Sequence, residues 1–329
     1  MSHDVVLSST LRLARNYPQY PFDTSVSEGI ARSVEEFARK GLENSGLTDA
    51  YPFHSLRDKS SSVLRFLAEE GIITDDLARK SATAGYFRNE EKHLSILTNE
   101  EDHLRFVAQN SGLCLDSLQS GIQDAAQACA TEMPYAYDDE WGYLTASPAN
   151  VGTGFKATVT LHLPLITLRK QLGTAIQNVV RVGMAFRGVY GENNQALGFV
   201  YQVSNRTSLG KTQQELMEGV VGVAGELITL ERELREQAAA EKDPALIDNI
   251  WRAYGVLKYA RRVNLKEFMV HWSNLRLGTA MGILPLKLEQ VDALLLNAQT
   301  GHIEQRMAGS DPAETADTVR AALIRRELD

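Results

Sequence analysis

The sequence predicts an α+β fold over residues 1–240, followed by an all-helical domain over residues 241–329. Three observations carry this expectation. Runs that alternate apolar and polar residues recur from Val5 to Ser204, interleaved with amphipathic helical stretches. From Asp243 onward only helical periodicity remains, and the charged segment Glu236–Asp243 separates the two regimes.

Taken in order, Val5-Val6-Leu7 leads into Ser8-Ser9-Thr10-Leu11-Arg12-Leu13-Ala14-Arg15-Asn16, where Leu11 and Leu13 alternate with Thr10 and Arg12. A strand presenting Arg12 outward is expected. Tyr17-Pro18 and Tyr20-Pro21 break it. Ser27 is placed to cap a helix to about Lys40, with Ile30, Val34 and Phe37 on one face. Val63–Glu70 reads as a short helix closed by Gly71. Leu94-Ser95-Ile96-Leu97 and Leu104, Phe106, Val107 read as strands on either side of a charged run. Leu115–Cys129 reads as an amphipathic helix ending near Pro134, after which the acidic, aromatic Tyr135–Glu140 is expected to loop out.

A strand then enters the Pro/Asn/Gly-rich loop within Gly142–Lys156 and leaves through Thr158–Leu163. Leu165–Arg181 fits one helix with Leu168, Leu172, Ile176 and Val179 inward, closed by Gly183. Met184–Tyr190 is a strand leading to a glycine-punctuated turn with Glu192, and Phe199–Ser204 is another strand. Thr212 caps a long helix to about Ala240, whose stripe Val220, Val223, Leu227, Leu230, Leu234 suits a core or a dimer seam. Helices follow over Leu246–Val263, Leu265–Leu277, Leu288–Asn297 and Ala313–Leu328.

Composition narrows the function classes. A chain of 329 residues, 43% hydrophobic and 23% charged, has room for two domains and a full core. Its net charge of -8 argues against non-specific binding to nucleic acid or anionic membrane. Its two cysteines, Cys114 and Cys129, are spaced unsuitably for a bridge, which predicts a reducing compartment. No metal-ligand spacing, secretion signal or membrane span is read, so a cytoplasmic protein is expected.

The run Thr98-Asn99-Glu100-Glu101-Asp102-His103-Leu104-Arg105 sets adjacent carboxylates four residues or so from a guanidinium, between strands. It reads either as a solvated hairpin tip or as a catalytic carboxylate beside a cation that handles an anion. Gly152 and Gly154 either bring backbone N–H groups to a phosphate or only connect strands; the loop lacks the Walker lysine–hydroxyl pair and the helix after it. Arg12, Arg105, Arg187 and Lys156 together suit a nucleoside triphosphate held by guanidinium clamps. Glu100, Glu101 and Glu192 suit a guanidinium acceptor gripped by carboxylates, in a phosphoryl transfer with magnesium on the phosphates.

These residues also carry a family resemblance. Asn99–Arg105 is identical to the NEEDHLR signature of the phosphagen (guanidino) kinases, and Pro148–Gly154 resembles their Cys-Pro-x-Asn-x-Gly-Thr-Gly loop. Ser8–Asn16, Arg187–Glu192 and Arg252–Arg262 are similar to the bacterial protein-arginine kinases, so that nearly the whole chain is covered. The resemblance implies an antiparallel β-sheet flanked by helices, ATP with Mg2+ as phosphoryl donor, and protein arginine as acceptor. It implies catalytic roles for Glu101, Glu192 and Glu100. It places the nucleotide on Ser8, Ser9, Thr10, Leu11, Arg12, Arg105, Lys156, Ala157, Thr158, Val159, Thr160, Arg187, Gly188, Val189, Tyr190, Gly191 and Glu192, and the substrate loop at Ser147 and Asn150. Implied partners are protein substrates with exposed arginine, a zinc-binding activator protein and Clp-type protease machinery, in a stress response, with a homodimer formed through the helical domain. Seven residues precede Ser8, where small-guanidine kinases carry a helical domain, so an open acceptor side and a protein substrate are expected.

The chain departs from the family at several positions. Thr10 and Lys156 stand where the family has arginines, Ser147 where it has cysteine, and Gly71 aligns with a nucleotide-contacting histidine. Ala316–Ala321 lacks the first arginine of a phosphoarginine-sensing motif. Losing one phosphate clamp and weakening another removes a few kcal/mol of phosphate stabilisation, at about 1.5–3 kcal/mol per charged hydrogen bond. The expected function is therefore ATP-dependent phosphorylation of protein arginine. The alternatives are a catalytically impaired scaffold and, third, a small-guanidine kinase.

Overall fold

The computed structural model describes residues 2–22, 27–191, 196–307 and 314–329. In chain order its elements are β1 (Val6–Arg15), α1 (Glu28–Asn44), β2 (Phe53–Ser55), α2 (Ser61–Glu69), α3 (Asp75–Arg79), β3 (Gly85–Asn89), β4 (Leu94–Thr98), β5 (Leu104–Ser111), α4 (Leu115–Cys129), β6 (Tyr137–Asp138), β7 (Gly142–Tyr143), β8 (Phe155–His162), α5 (Pro164–Leu168), α6 (Leu172–Arg181), β9 (Met184–Tyr190), β10 (Ala196–Asn205), α7 (Gln213–Glu241), α8 (Pro244–Tyr259), α9 (Leu265–Ala280), α10 (Leu288–Asn297), α11 (Thr300–Met307) and α12 (Ala316–Leu328). They form two compact units, one of Ser8–Val159 with Ser204–Val221, the other of Met1–Leu7, Thr160–Val203 and Gly222–Asp329.

In the first unit the strands lie in the order β2-β3-β4-β5-β1-β8. The pairs β2–β3, β3–β4, β4–β5 and β5–β1 are antiparallel, with Arg12 opposite Val107 and Thr10 opposite Gln109. Leu97 and Val107 pack with Leu56, Leu64, Leu67 and Leu77 beneath α2 and α3. Side chains alternate along a strand, so Ile96 and Phe106 serve the opposite face, where α1 and α4 pack on β4 and β5. With both faces covered, apolar residues such as Ile96 and Leu97 or Phe106 and Val107 fall on both faces, which is why the alternation is faint in the sequence. Ser27 caps α1 as expected, its hydroxyl accepting from the Ile30 N–H.

The second unit contains the pair β9–β10, α5 and α6, residues 222–241 of α7 and the helices that follow. Within it, α8 packs on α9, α9 on α10, and α12 on α8 and α11. Trp272 is fully buried and its indole N–H donates to the Val291 carbonyl at 2.8 Å. The Arg276 guanidinium, also fully buried, is held by Asp292 (2.6 Å) and by the carbonyls of Asp4 (2.8 Å) and His3 (2.7 Å). Both cysteines are free thiols.

Several elements differ from the sequence expectation. The segment 135–140 does not simply loop out: Tyr137 and Asp138 pair with Tyr143 and Gly142 in a short hairpin, closed where the Asp138 carboxylate accepts from the N–H groups of Glu140 and Trp141. The single helix over Leu165–Arg181 is two, α5 and α6. Lys170 turns left-handed between them at φ 59°, and Leu168, expected inward, is exposed. The last helix begins at Ala316 behind the Thr315 cap, and α3, α11, β2 and β3 are additional. Its Arg320 is buried and donates to the carbonyls of Ala298 and Val263 and to Asp317, so the surviving arginine of the altered motif is held internally.

Two buried histidines make stability pH-dependent. Burial lowers the pKa of His162 well below its ordinary value of 6.5, with Arg276 and Arg235 adding to the effect, while His162 shares a 2.7 Å hydrogen bond with Ser273. Burial also lowers that of His103. A depressed folded value means the unfolded chain takes up protons first; this part of the stability is present above about 6.5 and is lost as pH falls from there towards the folded values. The urea midpoint is expected to drop between pH 7.5 and 5.5, with a shallower drop in His162→Gln. Equal slopes in both would disprove the assignment.

Candidate active site

The turn between β4 and β5 is built from the charged run. Asn99 takes the left-handed conformation (φ 61°), which asparagine tolerates, and its side-chain amide donates to the carbonyls of Ala31 and Thr83. Its N–H donates to the His103 carbonyl at 2.9 Å and closes the turn. From this frame the two glutamates diverge. The Glu100 side chain is fully buried and accepts from the Thr74 hydroxyl and from Arg105 Nη1 at 2.6 Å. Glu101 keeps 42% of its side chain exposed and accepts from Arg105 Nη2 at 2.9 Å. One guanidinium thus ties a buried carboxylate to an open one.

Glu101 opens on a cavity of about 210 Å³ that is also lined by Arg12, Arg105, Ser147, Asn150, Gly154 and Lys156. Charge therefore converges from three places in one unit: Arg12 within β1, Glu101 and Arg105 at the β4–β5 turn and the start of β5, and Lys156 at the start of β8. The loop that carries Ser147 and Asn150 is held from several sides. Asp102, buried, accepts from the Ala146 N–H at 2.8 Å and from the Asn16 amide at 2.7 Å. Arg15 donates to the Thr153 carbonyl at 3.0 Å while its guanidinium lies 3.5 Å from the Tyr143 ring centre. Ser208 Oγ lies 2.9 Å from the carbonyl oxygens of Asn150 and Val151. Burial pushes the Arg15 pKa down, a shift opposed by the nearby Tyr143 and Tyr135.

Gly154 has φ 61°, and a Cβ there would sit 2.6 Å from the Ala14 carbonyl oxygen and 2.7 Å from Arg15 Nη1. Gly154→Ala is expected to cost more than about 1 kcal/mol, because the left-handed conformation and the close strand contact are both lost. It should also lower kcat/KM for a reaction carried out in the cavity. Thermal unfolding and steady-state kinetics check the two effects.

The remaining site expectations are distributed unevenly. Ser9 is buried; its hydroxyl donates to the Gly112 carbonyl and accepts from the Cys114 N–H. Leu11, Ala157 and Val159 are fully buried, Thr158 and Thr160 nearly so, and Ser8 is half-buried on the same strand as Arg12. Thr10 donates its hydroxyl to the Gln109 side chain at 3.1 Å. The same Gln109 amide lies 3.1 Å from where a Cβ on Gly71 would be, and Gly71 turns left-handed (φ 69°) at the end of α2. Thr10 and Gly71 thus meet on one neutral residue. Arg187, Gly188, Val189 and Tyr190 belong to β9 in the other unit, where Arg187 donates to Gln202 Oε1 at 2.9 and 2.6 Å and Gly191 follows. Glu192 lies outside the described residues. Sequence reasoning missed Asp102, Arg15, Ser208 and Gln109. Asp102 was signalled by its place in the charged run, whereas nothing in the sequence marks Gln109.

Comparison with known proteins gives this geometry a context. Residues 33–234 match the family model described as ATP:guanido phosphotransferase, C-terminal catalytic domain, and residues 243–329 match that of the protein-arginine kinase McsB C-terminal domain. The chain is 35% identical to the protein-arginine kinase of Caldanaerobacter subterraneus subsp. tengcongensis, over 99% of this chain and 97% of that one. It is also 35% identical to the protein-arginine kinase of Symbiobacterium thermophilum, over 99% and 93%. Among solved structures it is similar to lombricine kinase, with TM-score 0.61 and 25% identity over 72% of this chain and 69% of that one. It shares the fold of the duplicated taurocyamine kinase from Schistosoma mansoni, with TM-score 0.63 and 24% identity over 72% of this chain and 34% of that longer one. The chain belongs to the ATP:guanido phosphotransferase family, among the protein-arginine kinases.

Proposed function

We propose that this chain transfers the γ-phosphoryl group of MgATP to the guanidinium of arginine side chains in proteins. The observation that carries the reading is the Glu101 carboxylate, half-open to a cavity whose other charged groups are Arg12, Arg105 and Lys156. A guanidinium nitrogen attacks the γ-phosphorus, the P–N bond forms, and the β–γ bridging P–O bond breaks with its electron pair leaving on ADP. Glu101 orients the guanidinium and takes the proton released by the attacking nitrogen. Arg105 holds Glu101 in place through the bond described above. Arg12 and Lys156 face the transferring phosphates and offset their charge. Mg2+, carried on the phosphates, neutralises them further. Ser147 and Asn150 face the acceptor side, and the family resemblance adds Glu192 at the guanidinium and Arg187 at the phosphates.

The same reading takes residues 1–240 as the catalytic domain and 241–329 as a regulatory and dimerising domain, supported by the change, among the described residues, to helices alone after Asp243. It extends to a cytoplasmic stress response with a zinc-binding activator and Clp-type protease machinery as partners. Among the described residues no helix is long and apolar enough to cross a membrane. A second reading, a weakly active scaffold, is favoured by the neutral Thr10–Gln109 pair where relatives carry an arginine clamp.

Incubation with radiolabelled MgATP and an arginine-rich unfolded protein separates these readings. Acid-labile label on the protein supports the kinase; ATP binding without label supports the scaffold; label on free arginine alone supports the small-guanidine enzyme. Thr10→Arg with Lys156→Arg should raise a weak activity, and unchanged activity would count against the clamp argument.

A further inference from the structure

The β6–β7 hairpin forms one wall of a second, larger groove of about 430 Å³ in the same unit as the cavity. Tyr143 and Gly152 exchange backbone hydrogen bonds, 2.8 Å from the Tyr143 N–H and 3.3 Å from the Gly152 N–H, so the hairpin is fixed to the very loop that carries Ser147 and Asn150. That loop is shared: Ala149, Asn150 and Gly154 line the cavity, while Gly152 and Thr153 line the groove. The groove's apolar lining is exposed, with Tyr137 at 59%, Trp141 at 48% and Leu209 at 45%. Asp139, Glu140 and Glu215 add three carboxylates against the single ammonium of Lys211. Glu215 is taken up by the Thr212 N–H and hydroxyl, which leaves the exposed Asp139 and Glu140 beside aromatic rings, a setting that suits guanidinium groups able to stack on the rings and pair with the acids. The hairpin tip is held by the Asp138 carboxylate, so this surface is built in advance of binding.

We propose that this groove docks a cationic, extended segment of the protein substrate and thereby delivers a neighbouring arginine across the shared loop into the cavity, an inference that rests on the protein-arginine kinase reading. Arginines flanking the modified one would lie against Tyr137 and Trp141, with Asp139 and Glu140 setting the preference for positive charge. Free arginine, which has no flanking residues, gains nothing from the groove. The segment must be locally unfolded to lie along it, and its charge opposes the net charge of -8 on this chain.

The test uses the full chain, a fluorescein-labelled arginine-rich peptide of a dozen residues, and the same peptide with glutamine at every arginine but one. Tyr137→Ala with Trp141→Ala, and separately Asp139→Asn with Glu140→Gln, alter exposed side chains only. Fluorescence anisotropy should show each pair weakening the arginine-rich peptide about tenfold, which is about 1.4 kcal/mol. The glutamine peptide should bind poorly to every form, and the KM for free arginine should not move. Peptide binding that is lost in the variants, without phosphoryl transfer by the wild type, would uphold the groove and overturn the kinase reading. Transfer to the peptide with the same KM in both variants and wild type would overturn the groove and leave the kinase reading standing. Equal binding of the two peptides would also overturn the groove.

Discussion

Glu101→Gln is expected to lower phosphoryl transfer by about 10²–10⁴-fold, the usual contribution of a positioned proton acceptor. The amide keeps the shape and can still accept from Arg105, so the folded state should hold; what is lost is the charge that attracts the guanidinium and the capacity to take its proton. Nucleotide affinity should stay within a factor of two or so, since Glu101 is proposed to serve the acceptor. The informative measurement is kcat/KM for peptide beside the dissociation constant for ATP. A variant that retains most of its turnover would remove Glu101 from the mechanism.

Arg105→Met is expected to destabilise the protein by about 3–5 kcal/mol, the range for deleting one partner of a buried ion pair. The reason lies in Glu100, whose side chain is fully buried and would keep only the Thr74 hydroxyl and the Glu101 N–H as donors. Adding Glu100→Gln to Arg105→Met should recover part of that loss, because the stranded charge is gone, without recovering activity. The double mutant should therefore be more stable than Arg105→Met alone, a coupling that urea unfolding of the four forms of the cycle measures. Strict additivity would show that the pair is not the source of the stability.

The run Asn99–Arg105 stood out because charge is concentrated there between two apolar strands, which left a solvated tip and a functional turn both open, and its place between β4 and β5 matches the expectation. Roles inside it were not legible. Glu100 and Glu101 are chemically identical in the sequence; only the position of Thr74, far along the chain at the start of α3, makes one a buried support and leaves the other open. Arg105 was expected at the phosphates, and it does line the cavity, but its contacts to both carboxylates depend on a turn geometry that spacing alone does not specify. The break between α5 and α6 was hidden by unbroken apolar spacing, since Lys170 gives no glycine or proline signal. The β6–β7 hairpin was hidden because two-residue strands carry no periodicity.

The meeting of Thr10 and Gly71 at Gln109 leaves the two positions unequal as sites for substitution. Gln109 is a flexible side chain that can swing aside for a longer residue on β1. The backbone at residue 71 cannot follow as easily: its left-handed turn closes α2, with the Gly71 N–H donating to the Ala68 carbonyl and that of Ile72 to Leu67, and any other side chain there is strained. A longer residue at Thr10 is thus accommodated by one side-chain movement, whereas a substitution at Gly71 must also rebuild the end of α2.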